Sequence, residues 1–418
     1  MRIGIYFTAA SGQGGVYQYC VSILEAFNRI PGHSYTIFNE AGEIPERIKE
    51  NKKFKVVEVY SEEKSFAQQI YKLFNVGVGL LEPYIIKPLY HFGGPKIIDL
   101  LEKIKNYNLI NLVKAANPDL IFYPTATSIS FLSDIPFMVT VYDLEHRIKP
   151  RFKEVSANGR WEEREYIYSN VARKAFGMFV DSQVGKEDLL NSYETTEKQI
   201  YILPYVPVDY LNPDVSSHKM MKIKKKLGLP EKYIFYPAKF WSHKNHINLI
   251  MAINLLKQRG KTINLVLTGN TKAEFTTYPA VTKLIREYGL ENHIKHLGFL
   301  DYDELSTVYK LSQAMVMPTF FGPTNLPVLE AWIMGTPVIT SDIRGCRDQL
   351  GNAGLLINPW DPQAIANKID LIYGNNKLRK KLISLGKKRS QLWTRNDFSN
   401  KIANVIHLYH QQRYKNLT

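Results

Sequence analysis

The chain is short of cysteine, of long apolar runs and, over its second half, of acid. Each shortage excludes something. Two cysteines in 418 residues, Cys20 and Cys346, rule out a disulfide framework and a thiolate zinc site of the usual kind. A reduced, cytoplasmic chain is the natural expectation. No apolar run reaches the ~20 residues that a membrane-spanning helix needs, and the N-terminal run Ile3 to Phe7 is too short for the core of a signal peptide. Residues 1–215 hold 24 basic and 26 acidic side chains, whereas residues 216–418 hold 30 and 13. The net charge of +15 is therefore a neutral half followed by a basic half. Apolar residues at 45% and charged residues at 22% exclude a disordered chain. The length suggests two to three domains.

What is present is an alternation of short apolar runs with helical stretches. Residues 2–7, 119–123, 137–142, 177–180 and 199–203 are β-branched or aromatic runs ending near Pro, Asp, Ser or Thr. Near-continuous apolar runs of this kind fit parallel strands buried on both faces. Helical periodicity lies between them, at Val16 to Ile30 and Trp161 to Arg173. Pro204, Pro207 and Pro213 mark a linker. The alternation then restarts with runs at 233–236, 263–267, 294–297, 314–317, 337–340 and 355–357. Between the first two of these, Leu249, Ala252, Ile253 and Leu256 lie on one helical face. Asp361 followed by Pro362 reads as an N-cap and first helical residue. The expected class is α/β, two doubly wound sheets in tandem with a cleft at the carboxyl ends of their strands.

Residues 64–115 mix apolar stretches, such as Val76–Leu81 and Ile97–Leu101, with lysines. They read either as an amphipathic surface for a membrane or a lipid-linked substrate, or as helices packed on the sheet. The second is expected.

Four features point to a phosphate-bearing ligand. Gly14 and Gly15 end the run Ser11-Gly-Gln-Gly-Gly15 between the first strand and a helix, where bare backbone amides can approach a phosphate or sugar. A plain tight turn is an equal reading. Lys239 and Lys244 lie on a strand-to-helix loop, five residues apart. Both can reach one diphosphate and neutralise its charge as it leaves, or they are two solvated lysines. Gly322, Pro323 and Asn325 form a tight loop before a short helix that Pro327 opens and Gly335 ends. Glu330 falls about one turn into that helix, placed to accept two ribose hydroxyls, or else it is a surface acid favoured by the helix dipole. Lastly Asp143, His146 and Arg147 follow a buried strand. Asp143 either faces the ligand or caps the next segment.

At these residues the chain resembles the retaining glycosyltransferases of family 4, which have the GT-B fold of the glycogen-synthase and mannosyltransferase superfamily. The matching pieces are Gly14-Gly15, Lys239 with Lys244, His296-Leu-Gly-Phe299, and Pro318 through Pro337. The resemblance implies two Rossmann-like domains facing a central cleft. Residues 1–208 take the acceptor side, 209–390 bind the nucleotide-sugar, and 391–418 form a helix returning to the first domain. Lys239 and Lys244 are then electrostatic catalytic groups at the diphosphate, with Asp143 a further catalytic candidate. Glu330 holds the donor ribose, Thr324, Asn325 and Leu326 line the sugar and phosphates, and Gly298 with Phe299 lies near the base. His146 and Arg147 are substrate-binding candidates.

Two departures from the family stand out. Its paired-glutamate motif has an acid eight residues before Glu330, where this chain has Gly322. Its His-Asp pair falls on Tyr142-Asp143, so Tyr142 or His146 takes the place of that His. The resemblance implies a nucleotide-diphosphate-sugar donor, a glycan or polyprenyl-linked acceptor, bacterial surface-polysaccharide or glycan synthesis, and peripheral membrane contact. No cofactor or metal is required, since the leaving phosphate itself acts as base. The pairs His243/His246 and His293/His296 have helical spacing but no accompanying cysteine or carboxylate cluster, and are expected to be structural. Two alternatives stay open. One is a nucleotide-sugar epimerase on the same fold. The other is a nucleic-acid-binding protein, suggested by 11 basic residues against one acid over 377–415, although no recognised nucleic-acid motif is present.

Overall fold

A computed structural model describes residues 1–40, 42–59, 95–207, 209–272 and 274–415. The chain divides into two compact units, Met1–Pro204 with Arg395–Thr418, and Tyr205–Thr394. The boundaries sit a few residues from the expected 208/209 and 390/391, for packing reasons. Leu211 is buried in the second core, and Tyr205 and Tyr210 pack against it. Gln391 and Leu392 continue the turn of the helix Asn376–Ser390 by bonding back to Lys388 and Arg389.

The first unit is a seven-stranded parallel sheet. Its strands are β1 (Arg2–Phe7), β2 (Ser34–Asn39), β3 (Phe54–Glu58), β4 (Leu120–Tyr123), β5 (Phe137–Thr140), β6 (Gly177–Val180) and β7 (Ile200–Ile202), in the order β3-β2-β1-β4-β5-β6-β7. β4, β5 and β6 are buried along their whole length, as strands covered by helices on both faces must be. The helix Gly15–Arg29 buries Tyr19, Cys20, Ile23, Leu24 and Phe27. The last helix, Arg395–Lys415, packs on it and is tied to the sheet from a distance. Tyr409 donates to the Asp119 carbonyl at 2.8 Å, and Arg413 pairs with the Asp119 carboxylate, also at 2.8 Å. Part of the basic C-terminal segment is thereby accounted for.

Of the 64–115 stretch, residues 64–94, with Val76–Leu81, lie outside the described residues. From 95 onward the segment forms the helices Pro95–Lys105 and Tyr107–Ala115, and Ile98, Leu109, Ile110 and Val113 join the first core. No helix among the described residues is long and apolar enough to cross a membrane.

The second unit is a six-stranded parallel sheet of β8 (Ile234–Pro237), β9 (Leu265–Thr268), β10 (Ile294–His296), β11 (Ala314–Met317), β12 (Val338–Ser341) and β13 (Leu355–Ile357). Their order is β10-β9-β8-β11-β12-β13. Strand order reverses between β8 and β11, as it does between β1 and β4 in the first sheet. The loops leaving two such strands run in opposite directions and open a crevice, the usual ligand position in doubly wound sheets. The helix after β13 starts as its residues require: Asp361 accepts from the Gln363 amide at 2.8 Å, with Pro362 in the first turn.

Candidate functional site

The crevice between β8 and β11 is built from two loops that are bonded to each other. After β8 the chain passes through a single turn at Ser242–Lys244, and Asn245 then adopts a left-handed conformation with φ of 59°. Asparagine tolerates that backbone, and here its side chain is the rivet. Asn245 Nδ2 donates to the Pro318 carbonyl at 2.8 Å and to the Pro359 carbonyl at 2.7 Å. The His243 carbonyl accepts from the Phe320 amide at 2.7 Å and from Thr319 Oγ1 at 3.2 Å. The His243 ring stacks on Phe321 with 3.8 Å between centroids. Below them, the Tyr236 hydroxyl donates to the Lys244 carbonyl at 2.8 Å. Lys239 and Lys244 thus stand on the same fastened platform as Gly322, Thr324 and Asn325.

Lys239 is half-buried, its Nζ 5.1 Å from the centre of the Trp241 ring. Burial pushes its pKa below the ordinary lysine value, and no carboxylate pairs with it among the described residues. Such an ammonium is under-solvated and unneutralised, the state an anionic ligand relieves. Lys244, also half-buried, is anchored through its own carbonyl.

The β11 loop shows why Glu cannot simply occupy position 322. Gly322 has φ of 107°, and a Cβ there would lie 3.2 Å from Asn325 Oδ1. That backbone suits glycine. Asn325 Nδ2 donates to the Gly322 carbonyl at 3.1 Å, while the Asn325 amide and carbonyl both bond to the Gln349 side chain, each at 2.9 Å. Asn325 is the N-cap of the helix Leu326–Ile333, yet no side chain caps that helix. Its first-turn donors carry the positive end of the helix dipole. Leu326 is buried, and Thr324 is half-buried.

Glu330 differs from its expected setting. Only 8% exposed, it is not a surface acid. Tyr210 donates to Oε1, and Tyr309 donates to Oε2 at 2.5 Å. Burial pushes the Glu330 pKa up, and the two hydroxyl bonds pull against it by favouring the ionised form. No local spacing in the sequence signals Tyr210 or Tyr309 as its partners.

Gly298 and Phe299 reach the same platform through Gly269. The Gly269 amide donates to the Gly298 carbonyl at 3.2 Å, and His296 Nε2 lies 3.0 Å from the Gly269 carbonyl. A Cβ on Gly269 would fall 2.2 Å from the Ala238 carbonyl oxygen, so only glycine lets this chain pass beside the residue preceding Lys239. Phe299 is 80% exposed and presents an unburied aromatic surface. His246 is buried among rings, stacked on Phe240 at 4.3 Å, and its neighbour in spacing, His243, stacks on Phe321. Among the described residues no group of three His, Cys, Asp or Glu side chains is placed to hold a metal ion.

In the first unit, Gly14 and Gly15 follow β1 at that sheet's own crevice. Gly14 has φ of 65° and open space around its Cβ position. The constellation after β5 is different. Asp143 Oδ1 accepts from the Glu145 amide at 3.0 Å and pairs with Arg164. Burial acts to raise the Asp143 pKa, but the charge and hydrogen bond of Arg164, the Glu145 amide and His146 together outweigh it, and the carboxyl sits below its ordinary value. His146 is 0% exposed, with Nε2 2.8 Å from Glu165 Oε1. Arg147 is bound by the same Glu165 and by the Ser192 carbonyl at 2.6 Å. Tyr142, the other substitute for the family's His, donates to the Pro124 carbonyl at 2.8 Å. Asp143 is therefore paired with Arg164, and His146 and Arg147 with Glu165, and of the three only His146 is fully buried. The N-cap of the short helix Glu145–Ile148 is Leu144, and Asp143 only closes a turn onto the Glu145 amide.

Residues 219–389 match the family of glycosyl transferases group 1. This segment is thus similar to group 1 glycosyltransferase domains. It contains Lys239, Lys244 and Glu330, along with the loops that join them. Among characterised proteins, the chain is similar to alpha-D-kanosaminyltransferase of Streptomyces kanamyceticus (20% identity, 62% of this chain and 67% of that one). It is also similar to D-inositol 3-phosphate glycosyltransferase of Corynebacterium glutamicum (24%, 59% and 60%) and to the serotype-specific mannosyltransferase WbdA of Escherichia coli (26%, 48% and 25%). The matched stretches thus span between a quarter and two thirds of those relatives.

Among solved structures, a glycosyltransferase from Rickettsia africae superposes with a TM-score of 0.68 at 18% identity over 97% of both chains. Anabaena HepE in complex with UDP and glucose does so with 0.68 at 18% over 97% of this chain and 99% of that one. At such identity the likeness is one of fold. The two units each carry a Rossmann-like parallel sheet, as in the GT-B fold of those structures.

Proposed function

We propose that the chain is a retaining glycosyltransferase of family 4 that moves a sugar from a nucleotide-diphosphate-sugar to a hydroxyl of a glycan or polyprenyl-linked acceptor, in surface-polysaccharide or related glycan synthesis. The observation that carries the reading is Lys239. It is a half-buried cation with no carboxylate partner among the described residues, fastened through Asn245 beside the uncapped helix Leu326–Ile333. Support for the pathway comes from relatives such as WbdA, a mannosyltransferase by name. A nucleotide donor agrees with the UDP bound by Anabaena HepE. The epimerase and nucleic-acid alternatives are not favoured by relatives that are named for sugar transfer.

In the proposed reaction the bond from the sugar C1 to the diphosphate oxygen breaks, and a bond from C1 to the acceptor oxygen forms on the same face. The acceptor's proton passes to the departing phosphate oxygen. Lys239, Lys244 and the helix N-terminus stabilise the charge gathering on the diphosphate, so electrostatic preorganisation supplies most of the catalysis. Glu330 accepts the ribose hydroxyls, Thr324, Asn325 and Leu326 line the sugar and phosphates, and Phe299 offers its face to the base. Gly14 and Gly15 lie on the acceptor side. Asp143 supports its loop through Arg164.

A thermal-shift panel of UDP, GDP and dTDP tests the reading, because a ligand bound only to the folded state raises its melting temperature. One nucleoside diphosphate should stabilise the protein clearly more than the others, and Lys239→Ala should abolish that gain. No stabilisation by any of the three would overturn it.

A further inference from the structure

Two phenols of unequal freedom close over the Glu330 carboxylate. Tyr309, in the helix Tyr302–Leu311, is fully buried. Its ring meets Phe235 edge-on at 4.9 Å, and its carbonyl accepts from Thr336 Oγ1 at 2.7 Å and Ser312 Oγ at 2.8 Å. It has nowhere to go. Tyr210 belongs to the proline-punctuated segment that joins the two units, is only half-buried, and leans on the ring of Tyr302 at 5.1 Å. Next to it Leu211 is buried, and the Asn212 amide donates to Ser306 Oγ at 3.0 Å. The backbone around Tyr210 is held while its ring keeps an outer surface.

A ribose presents two adjacent hydroxyls, both able to donate to one carboxylate. A carboxylate buried this deeply, with one phenol on each oxygen, has its outward donor supplied by Tyr210. We propose that Tyr309 is a fixed positioning residue that orients Glu330, and that the Tyr210 hydroxyl is an exchangeable donor which yields Glu330 to the ribose hydroxyls of the nucleotide. The inference rests on Glu330 being the ribose ligand. Its consequence is competition: while Tyr210 occupies the carboxylate, part of the nucleotide's binding free energy goes to displacing it, and apparent affinity falls by the fraction of chains in which the site is closed. Exchange also releases Tyr210 within the connecting segment, so nucleotide binding is reported there.

The test uses the full chain and isothermal titration with UDP against 2′-deoxy-UDP, and GDP against 2′-deoxy-GDP, since the base is unassigned. For the base that binds, Tyr210→Phe removes the competitor. It should tighten the ribonucleotide about five-fold, the worth of one net hydrogen bond, and the 2′-deoxynucleotide, which keeps only the 3′-hydroxyl, by less. Tyr309→Phe should instead weaken the ribonucleotide and narrow the ribo/deoxy ratio toward that of Glu330→Gln. Hydrogen exchange of a peptide covering 205–216 should rise on adding the ribonucleotide to the native chain. Ribonucleotide affinity that is equal or weaker in Tyr210→Phe, with melting temperature preserved, overturns the exchange. The ribose reading fails separately: if native protein and Glu330→Gln show the same ribo/deoxy ratio, Glu330 does not hold the ribose, and the exchange falls with it.

Discussion

The Tyr309 hydroxyl donates to Glu330 Oε2 at 2.5 Å inside the second core, joining the helix Tyr302–Leu311 to the helix that opens on the crevice. A buried carboxylate that loses such a donor bears the cost of desolvation uncompensated. Tyr309→Phe should therefore cost about 2 kcal/mol, a fall of about 4–8 °C in melting temperature for a domain of this size. Tyr210→Phe should cost less, because water can reach the half-buried position and replace the lost donor. Urea denaturation of the two variants side by side checks the order; equal losses would contradict the difference in burial.

Lys239 makes the opposite prediction, with a large functional effect and a small structural one. Its ammonium has a ring beneath it but no counter-charge among the described residues, so Lys239→Ala breaks no ion pair. Stability should change by less than about 1 kcal/mol. Turnover, measured as nucleoside diphosphate released from a sugar donor, should fall about 100- to 1,000-fold, as when one preorganised donor to a developing negative charge is removed. Lys239→Arg should recover part of it. Full activity in Lys239→Ala would remove the diphosphate from this loop.

What could be read from the sequence was whatever depends on near neighbours. β4, β5, β6 and β11 are continuous apolar runs because both faces are covered, and Asp361 caps its helix by a bond two residues away. β2 and β3 lack such runs because Ser34, Thr36, Lys55 and Glu58 interrupt their apolar pattern toward the sheet's edge. Asp143, His146 and Arg147 are neighbours in sequence, whereas their partners are not. Arg164 and Glu165 lie about twenty residues on, in the helix Arg160–Lys174. Tyr210 meets Glu330 across 120 positions. Local spacing carries caps and periodicity, whereas the partner of a buried charge is chosen by the whole fold.

Gly322 yields a prediction about restoring the family's missing acid. Its φ of 107° and the 3.2 Å approach of Asn325 Oδ1 to its Cβ position make any side chain strained. Gly322→Glu should lower stability by about 1–3 kcal/mol and loosen the Asn325–Gly322 bond that shapes the loop. Gly322→Ala should show nearly the same loss, since the backbone rather than the carboxylate is at fault. If Gly322→Glu were as stable as the native chain while Gly322→Ala was not, the acid would be finding a partner of its own.

Acid should weaken the first unit through the cluster around Glu165. Burial acts to raise the Glu165 pKa, but bonds from Arg147, His146 and Tyr193 outweigh it and hold the carboxylate down at about 2. The unfolded chain takes up that proton near pH 4.3. A depressed carboxylate gives stability that is complete above the unfolded value and lost as pH falls toward 2. His146 acts in the same direction: burial lowers its pKa, so the unfolded imidazole gains a proton below about pH 6.5 that the folded one resists. Urea midpoints at pH 7, 5 and 3 should therefore fall in sequence, the first step reporting mainly His146 and the second mainly Glu165. Glu165→Gln should start lower at pH 7 by about 2–3 kcal/mol and lose markedly less than the native protein between pH 5 and 3. Parallel losses in the two proteins over that interval would place the acid sensitivity elsewhere, because a variant without the carboxylate has no such proton to take up.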